Sequence, residues 1–127
     1  MTIKSARTRA FQSQKGYCCY CGFEMWTDSA ESFAQKHQIS VKQARHFQCT
    51  AEHLHARKDG GPDTAENIVA ACIRCNRLRH QKRSKAPTPS EYQQHVQKRV
   101  NKGKWWSLPP DCNLSRDRPA KLRNSTG

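Results

Sequence analysis

The chain is poor in the residues that build an ordinary core. Leu, Ile, Val and Phe together number 17 of 127, below the share of ~20% under which strongly charged chains stay unfolded. A large self-sufficient hydrophobic core is therefore excluded. No apolar run is long enough to span a bilayer, and the opening MTIKSARTRAFQSQ lacks the apolar stretch of an export signal, so the chain reads as unexported and not membrane-spanning. Acidic residues are scarce as well: ten Asp and Glu face 23 Lys and Arg, for a net charge of +13. That balance suits a polyanionic partner, of which nucleic acid is the commonest. An anionic membrane surface is the rival, but no basic amphipathic helix with a Trp/Leu face stands out.

Cysteine, by contrast, is plentiful. There are seven, an odd number, and four form two Cys-x-x-Cys pairs, Cys18/Cys21 and Cys72/Cys75. Four thiolates at this spacing make a closed tetrahedral zinc site, and a bound structural zinc contributes on the order of 10 kcal/mol or more to folding. Such a site replaces the missing core. A redox dithiol is the other reading of a Cys-x-x-Cys pair, but the βαβ background it needs is missing. Cys19, Cys49 and Cys112 receive no role.

Along the chain, residues 1–16 read as a basic arm, helical around Ala6–Gln14. A core unit spans 17–86 and carries a polar, helix-compatible insertion at 28–45, with Asp28 as N-cap and Phe33, His37 and Val41 on one face. Residues 47–71 read as a hairpin with a long loop, because Asp59-Gly60-Gly61-Pro62-Asp63 is a dense turn signal between two strand-like runs. A helix is expected from Ile73 to about Lys85, stopped by Pro87. Residues 87–108 form a further unit: a capping box Thr88-Pro89-Ser90-Glu91 opens a helix with Tyr92, Val96 and Val100 on one stripe, and Gly103 closes it. Trp105, Trp106 and Leu108 are expected to fold back on that stripe. The helix could dock on the core, on a nucleic acid or on a second subunit. Residues 109–127 read as a disordered basic tail.

Between the cysteine pairs lies Glu52-His53. A histidine can take a proton from water near neutral pH, and a carboxylate oxygen is a hard ligand for Mg²⁺ or a similar ion. Neighbours on a regular strand point to opposite faces, so both serve one site only at a strand end or bulge. Asn76, directly after Cys75, and His80 are four apart on one helix face, and both are capable metal ligands. The same helix carries Arg74, Arg77, Arg79, Lys82, Arg83 and Lys85. Beside a ligand pair and a strongly basic total, contact with phosphates is the expected role of Arg74, Arg77, Arg79, Lys82 and Arg83.

The ordered set Cys18-Cys19-Tyr20-Cys21-Gly22, Glu52-His53, Gly60-Gly61, Asn67-Ile68 and Cys72-Ile73-Arg74-Cys75-Asn76 resembles the HNH endonucleases, in particular the zinc-knuckle members of bacteria, phages and mobile elements. The resemblance covers about residues 17–83. It implies a small α+β, zinc-stabilised fold: a ββα-metal, treble-clef-like core with flanking helices. It implies His53 as general base, Glu52 and Asn76 as ligands of a catalytic Mg²⁺ or another divalent ion such as Mn²⁺, and Asn67 as the residue that holds the hairpin loop so that the histidine stays oriented. His80 falls where some members place a second helical ligand. His55 matches a second histidine of some members, with solvent exposure or phosphate contact its expected role. Glu52 departs from the usual Asp or His, and its extra methylene moves the carboxylate ~1.5 Å further from the backbone.

The resemblance thus implies a metal-dependent DNA endonuclease leaving 5′-phosphate and 3′-hydroxyl ends, cytoplasmic and either nucleoid-associated or phage-encoded in a bacterial host. Its partner is DNA, with no membrane and no small-molecule cofactor, and it is a monomer or weak dimer. A zinc-stabilised nucleic-acid-binding module without catalysis is the alternative, and a zinc-clipped protein-interaction domain is a third. Both leave Glu52, His53, Asn67 and Asn76 unexplained as a set.

Overall fold

A computed structural model describes residues 2–81 and 85–124. Its centre is an antiparallel hairpin, β1 (Cys49–His53) and β2 (Ile68–Cys72), in the register Cys49↔Cys72 to His53↔Ile68. Helix α4 (Ile73–His80) follows β2 with no intervening loop, which completes a ββα unit. Cys72 makes the junction: it is the last strand residue and also the N-cap, its Sγ accepting the Cys75 N–H at 3.4 Å. The helix ends at His80, short of the expected Lys85. Residues 82–84 lie outside the described residues.

The four knuckle cysteines are all fully buried, and their sulfurs lie within 4.8 Å of one another. A tetrahedral zinc with Zn–S of about 2.3 Å holds its sulfurs ~3.8 Å apart, so the cluster fits that ion. Backbone N–H groups of Tyr20 and Cys72 point at Cys18 Sγ at 3.4 and 3.3 Å. Burial opposes ionisation of Cys18, yet hydrogen bonds from Cys19, Cys21, Cys72 and Cys75 outweigh it and hold this thiol well below its usual value. Burial pushes the Cys72 and Cys75 thiols up. A cluster that favours a thiolate at Cys18 and resists one at Cys72 and Cys75 suits a dication, which would offset the cost of ionising them.

Around this clasp the core is built from few large residues. Tyr20, Ala70, Ala71, Tyr92, Val96 and Trp105 are buried with the cysteines. Helix α5 (Pro89–Asn101) supplies Tyr92 and Val96; the Tyr92 hydroxyl donates to the Cys75 carbonyl at 2.7 Å, and its ring meets Tyr20 edge-on. Thr88 caps α5 by accepting the Glu91 N–H, although the Glu91 carboxylate takes the Thr88 hydroxyl rather than its backbone N–H. Gly103 stops the helix at φ +69°. Trp105 is buried with the α5 stripe, and Trp106 packs, half-buried, against the same cluster. Trp106 stacks on Phe47 at 4.1 Å, and Leu108 packs in that second cluster.

The insertion is two short helices rather than one. Helix α2 (Ala30–His37) ends where Gln38 turns left-handed at φ 59°, and α3 (Val41–Arg45) restarts with a full Ser40/Gln43 capping box. The cap of α2 is Ser29, not Asp28, because the Ser29 Oγ reaches the Ser32 N–H. Phe33, Ala34, Ile39, Ala44 and Phe47 give this segment a small core of its own.

Both ends of the chain are more ordered than their composition suggests. Residues Ile3–Ser13 form α1, capped by Thr2 and longer than the helix expected around Ala6–Gln14. Beyond its C-terminus, the Gln14 amide pairs with both backbone groups of Ala70, donating to its carbonyl at 2.8 Å and accepting its N–H at 2.9 Å. A glutamine thereby docks the basic N-terminal arm onto β2. Residues 109–124 also depart from the disorder expected of them. Their backbone runs beside the first knuckle, with Asp117 N–H on the Gly22 carbonyl at 2.9 Å and Ser115 carbonyl on Glu24 N–H at 3.2 Å. Gly22 permits this approach: at φ +80° a Cβ there would lie 2.2 Å from the Asp117 carbonyl oxygen.

Because the clasp substitutes for hydrophobic burial, Cys72→Ser should remove both the metal and the fold. Metal analysis should find one zinc per chain in the parent and none in the variant, whose far-UV circular dichroism should lose its helical signal. A folded, zinc-free variant would contradict this.

Candidate active-site cleft

Glu52, His53, Asn76 and His80 line one open cleft of about 300 Å³, between the end of β1 and the face of α4. Glu52 turns inward and is 1% exposed. His53 is the final residue of β1, half-buried on the cleft wall. The strand end thus brings these neighbours to one cleft although they alternate along the strand.

The Nε2 of His53 lies 2.7 Å from Asp63 Oδ1, and Arg57 holds the other Asp63 oxygen at 2.8 Å. The His53 hydrogen bond, helped by Arg57, keeps the Asp63 carboxyl below its usual range. An ionised carboxylate only accepts, so the proton of a neutral His53 is on Nε2 and the lone pair is on Nδ1. Nδ1 has no partner among the described residues. The pair has the orienter-base logic of a catalytic dyad.

Asn67 clamps the hairpin loop. Its Oδ1 accepts the His55 N–H at 2.8 Å, and its Nδ2 donates to the carbonyls of His55 and Pro62 at 3.1 and 2.9 Å. Gly61 lets the loop close this tightly, since a Cβ there would lie 1.7 Å from the His55 carbonyl oxygen. The clamp fixes the path from His53 to Asp63. His55 itself is half-buried beside Leu54, Ala56 and Arg79, away from the cleft, with its Nδ1 enclosed and unpartnered.

Asn76 donates through Nδ2 to Thr50 Oγ1 at 3.0 Å and to the Ala51 carbonyl at 3.2 Å. Both donors are thereby used, and Oδ1 is left over as a ligand. His80 Nε2 lies 3.1 Å from Glu52 Oε1. Cis ligands of an octahedral ion at 2.0–2.1 Å are ~3.0 Å apart, so this contact has the width of one edge of such a site. Glu52, His80 and Asn76 bring to one cleft oxygen and nitrogen donors of the kinds a divalent ion takes.

The other oxygen of Glu52 is committed. Oε2 accepts the Tyr20 hydroxyl at 2.9 Å and Arg79 NH1 at 3.1 Å. Burial, reinforced by Cys19 and Glu52, pushes the Tyr20 phenol well above its usual value, so it remains a donor. Arg79, expected among the phosphate-contacting residues, is instead 3% exposed. Its remaining donors reach the carbonyls of His53, Leu54 and Pro87 at 3.0, 2.9 and 3.0 Å. It is a buried brace between the end of β1 and the segment after α4. Arg74 is half-buried, with its guanidinium 5.2 Å from the centroids of both Trp105 and Trp106. Arg77 is exposed. Lys82 and Arg83 lie outside the described residues.

Tyr20, Asp63 and Arg57 were not singled out from the sequence as members of the site. Asp63 belongs to a cluster that carries turn chemistry, and only the loop's three-dimensional path brings it back to His53. Tyr20 occupies an x position of the knuckle, where spacing says nothing about direction. For Arg79 the available signal was its place three residues after Asn76, which turns it toward β1 rather than outward.

The family model for HNH endonuclease matches residues 18–82, from the first zinc-knuckle cysteine to just beyond α4. No curated protein and no solved structure gave a match. No helix among the described residues is long and apolar enough to cross a membrane.

Removing one member of a buried, hydrogen-bonded ion pair leaves the other charge uncompensated, which costs about 3–5 kcal/mol. Arg79→Met should therefore destabilise the zinc-loaded protein by about that amount in urea unfolding, and Glu52→Leu combined with it should restore part of the loss. An effect below ~1 kcal/mol would place Arg79 among surface charges.

Proposed function

The chain belongs to the HNH endonuclease family, and on that premise we propose that it hydrolyses DNA phosphodiester bonds with His53 as general base. One observation carries the reading: His53 is oriented by Asp63 through Nε2, with Nδ1 left as its acceptor, in the same cleft as Glu52, Asn76 and His80. Glu52, Asn76 and His80 would hold a Mg²⁺ or Mn²⁺ ion, whose chemistry when bound is to neutralise charge growing on the phosphoryl and departing oxygens.

Nδ1 of His53 accepts a proton from water as the water oxygen bonds to phosphorus. The bond from phosphorus to the 3′ oxygen breaks, and the departing 3′ alkoxide takes a proton from solvent water, leaving a 5′-phosphate and a 3′-hydroxyl. Asp63 stabilises the imidazolium formed in this step, and Arg57 keeps Asp63 ionised and aimed. Asn67 holds the loop that carries both partners. Arg79 braces the His53 carbonyl from behind. Arg77, exposed on α4, contacts the DNA backbone.

A non-catalytic nucleic-acid-binding module is the second reading, and a specific observation favours it. The Arg79 guanidinium already neutralises Glu52, which weakens the carboxylate as a ligand for a dication.

Incubation of plasmid with the zinc-loaded protein in Mg²⁺, in Mn²⁺ and without divalent ion separates the two. Cleavage in at least one metal, with none in its absence, is expected of the nuclease; DNA binding without cleavage in either metal selects the module. His53→Ala should lower turnover by roughly 10²–10⁴-fold with its zinc retained. Asp63→Asn should lower it by roughly 10²-fold or more, because an amide can donate to Nε2 and move the proton to Nδ1. Unchanged turnover in Asp63→Asn would remove Asp63 from the mechanism.

A further inference from the structure

A groove of about 540 Å³ opens beside the start of α4, and none of the residues lining the Glu52–His53 cleft lines it. Its walls come from three places: His46 after α3, Arg74 at the start of α4, and Arg99, Lys104 and Trp106 from the end of α5 and the segment beyond. No Asp or Glu lines it. Arg99 and Lys104 are exposed. Arg74 is held in place by its bond to the Trp105 carbonyl at 3.1 Å and by both indole rings.

Two further observations describe the groove's electrostatics. Burial, then Arg74, Arg77 and Lys42, hold the His46 imidazole below its usual value, which reports crowded positive charge. Among the described residues, five buried side-chain polar atoms lack a partner, and three of them are N–H donors of groove residues: Arg74 Nε, Trp105 Nε1 and Trp106 Nε1. These atoms are enclosed, so the charge a phosphate meets in the groove is that of the exposed Arg99 and Lys104 beside the Arg74 guanidinium.

Groove and cleft share no lining residue, but both draw on α4, Arg74 for the groove and His80 for the cleft. At 100° per residue, Arg74, Arg77 and His80 step around α4 by about 60° each and span ~9 Å along its axis. The exposed Arg77 lies between the two along the helix. From this geometry we infer that the groove between α3, α4 and the Trp105–Trp106 segment is a second backbone-binding surface, which grips the phosphates of the DNA strand as it leaves the cleft. The inference rests on the nuclease reading above and adds to it a surface formed largely by Arg99 and residues 103–108, beyond the stretch that matches the family.

The test uses full-length, zinc-loaded protein carrying His53→Ala, so that binding of a labelled DNA duplex is read without cleavage. Arg99→Glu with Lys104→Glu should leave zinc content and circular dichroism unchanged. Loss of two phosphate contacts should weaken binding on the order of 30-fold at ~0.15 M salt and make the slope of log affinity against log salt shallower by about 2. Where the charge reversal disturbs folding, Arg99→Gln with Lys104→Gln replaces it, with the same change of slope expected. Equal affinity and slope in parent and variant would overturn the inference alone. Failure of the parent itself to bind DNA at low salt would overturn the functional reading and this inference with it.

Discussion

Four cysteines from two knuckles far apart in the chain meet at one point, and nearly everything else is positioned from there. Cys18 and Cys72 are 54 residues apart, yet the Cys72 N–H reaches the Cys18 sulfur at 3.3 Å. The closed loop contains the whole hairpin, the insertion and the Asn67-clamped turn. Few apolar residues are available to hold it shut, so the free energy of metal binding is here the free energy of folding. The clasp also supplies direction. Cys72 ends β2 and caps α4, which turns Asn76 and His80 toward β1.

The same clasp reaches the cleft through Tyr20. Its backbone N–H serves a clasp sulfur, and its hydroxyl serves Glu52. Glu52 is thus held by one residue of the knuckle, Tyr20, and two of α4, Arg79 on the same oxygen and His80 on the other. Such a carboxylate has little freedom, and the longer Glu side chain is accommodated by fixing it from three sides. The cost is the Arg79 charge beside it. A satisfied buried ion pair contributes modestly to stability but specifies geometry where one partner alone would be disruptive. In this chain it couples the position of a ligand to the backbone of the proposed base, since Arg79 also binds the His53 carbonyl.

Much of this arrangement was legible in the sequence because it depends on local spacing. The two Cys-x-x-Cys pairs, the turn at 59–63, the Thr88 cap and the i, i+4 placement of Asn76 and His80 are statements about neighbours along the chain. The parts that escaped depend on tertiary paths. Asp63 carries the chemistry of a turn and becomes an orienter only after the loop folds back on His53. Arg79 looked like one cation in a basic run, and burial against Glu52 gave it the opposite role. Gln14 docks α1 by imitating a strand partner, and the knuckle's backbone groups recruit residues 109–124 from a segment whose composition alone suggests disorder. In each case a polar side chain or a bare backbone makes the contact, and hydrophobic patterning carries no record of it.

The central claim is that the zinc clasp builds a second, separate divalent-ion site from Glu52, Asn76 and His80. Calorimetric titration of Mn²⁺ into zinc-loaded protein tests it most directly, independent of any cleavage. One added ion per chain is predicted, lost in Glu52→Gln and retained in His53→Ala, with the zinc unmoved in both. Absence of a second ion in the parent, or its survival in Glu52→Gln, would contradict the account.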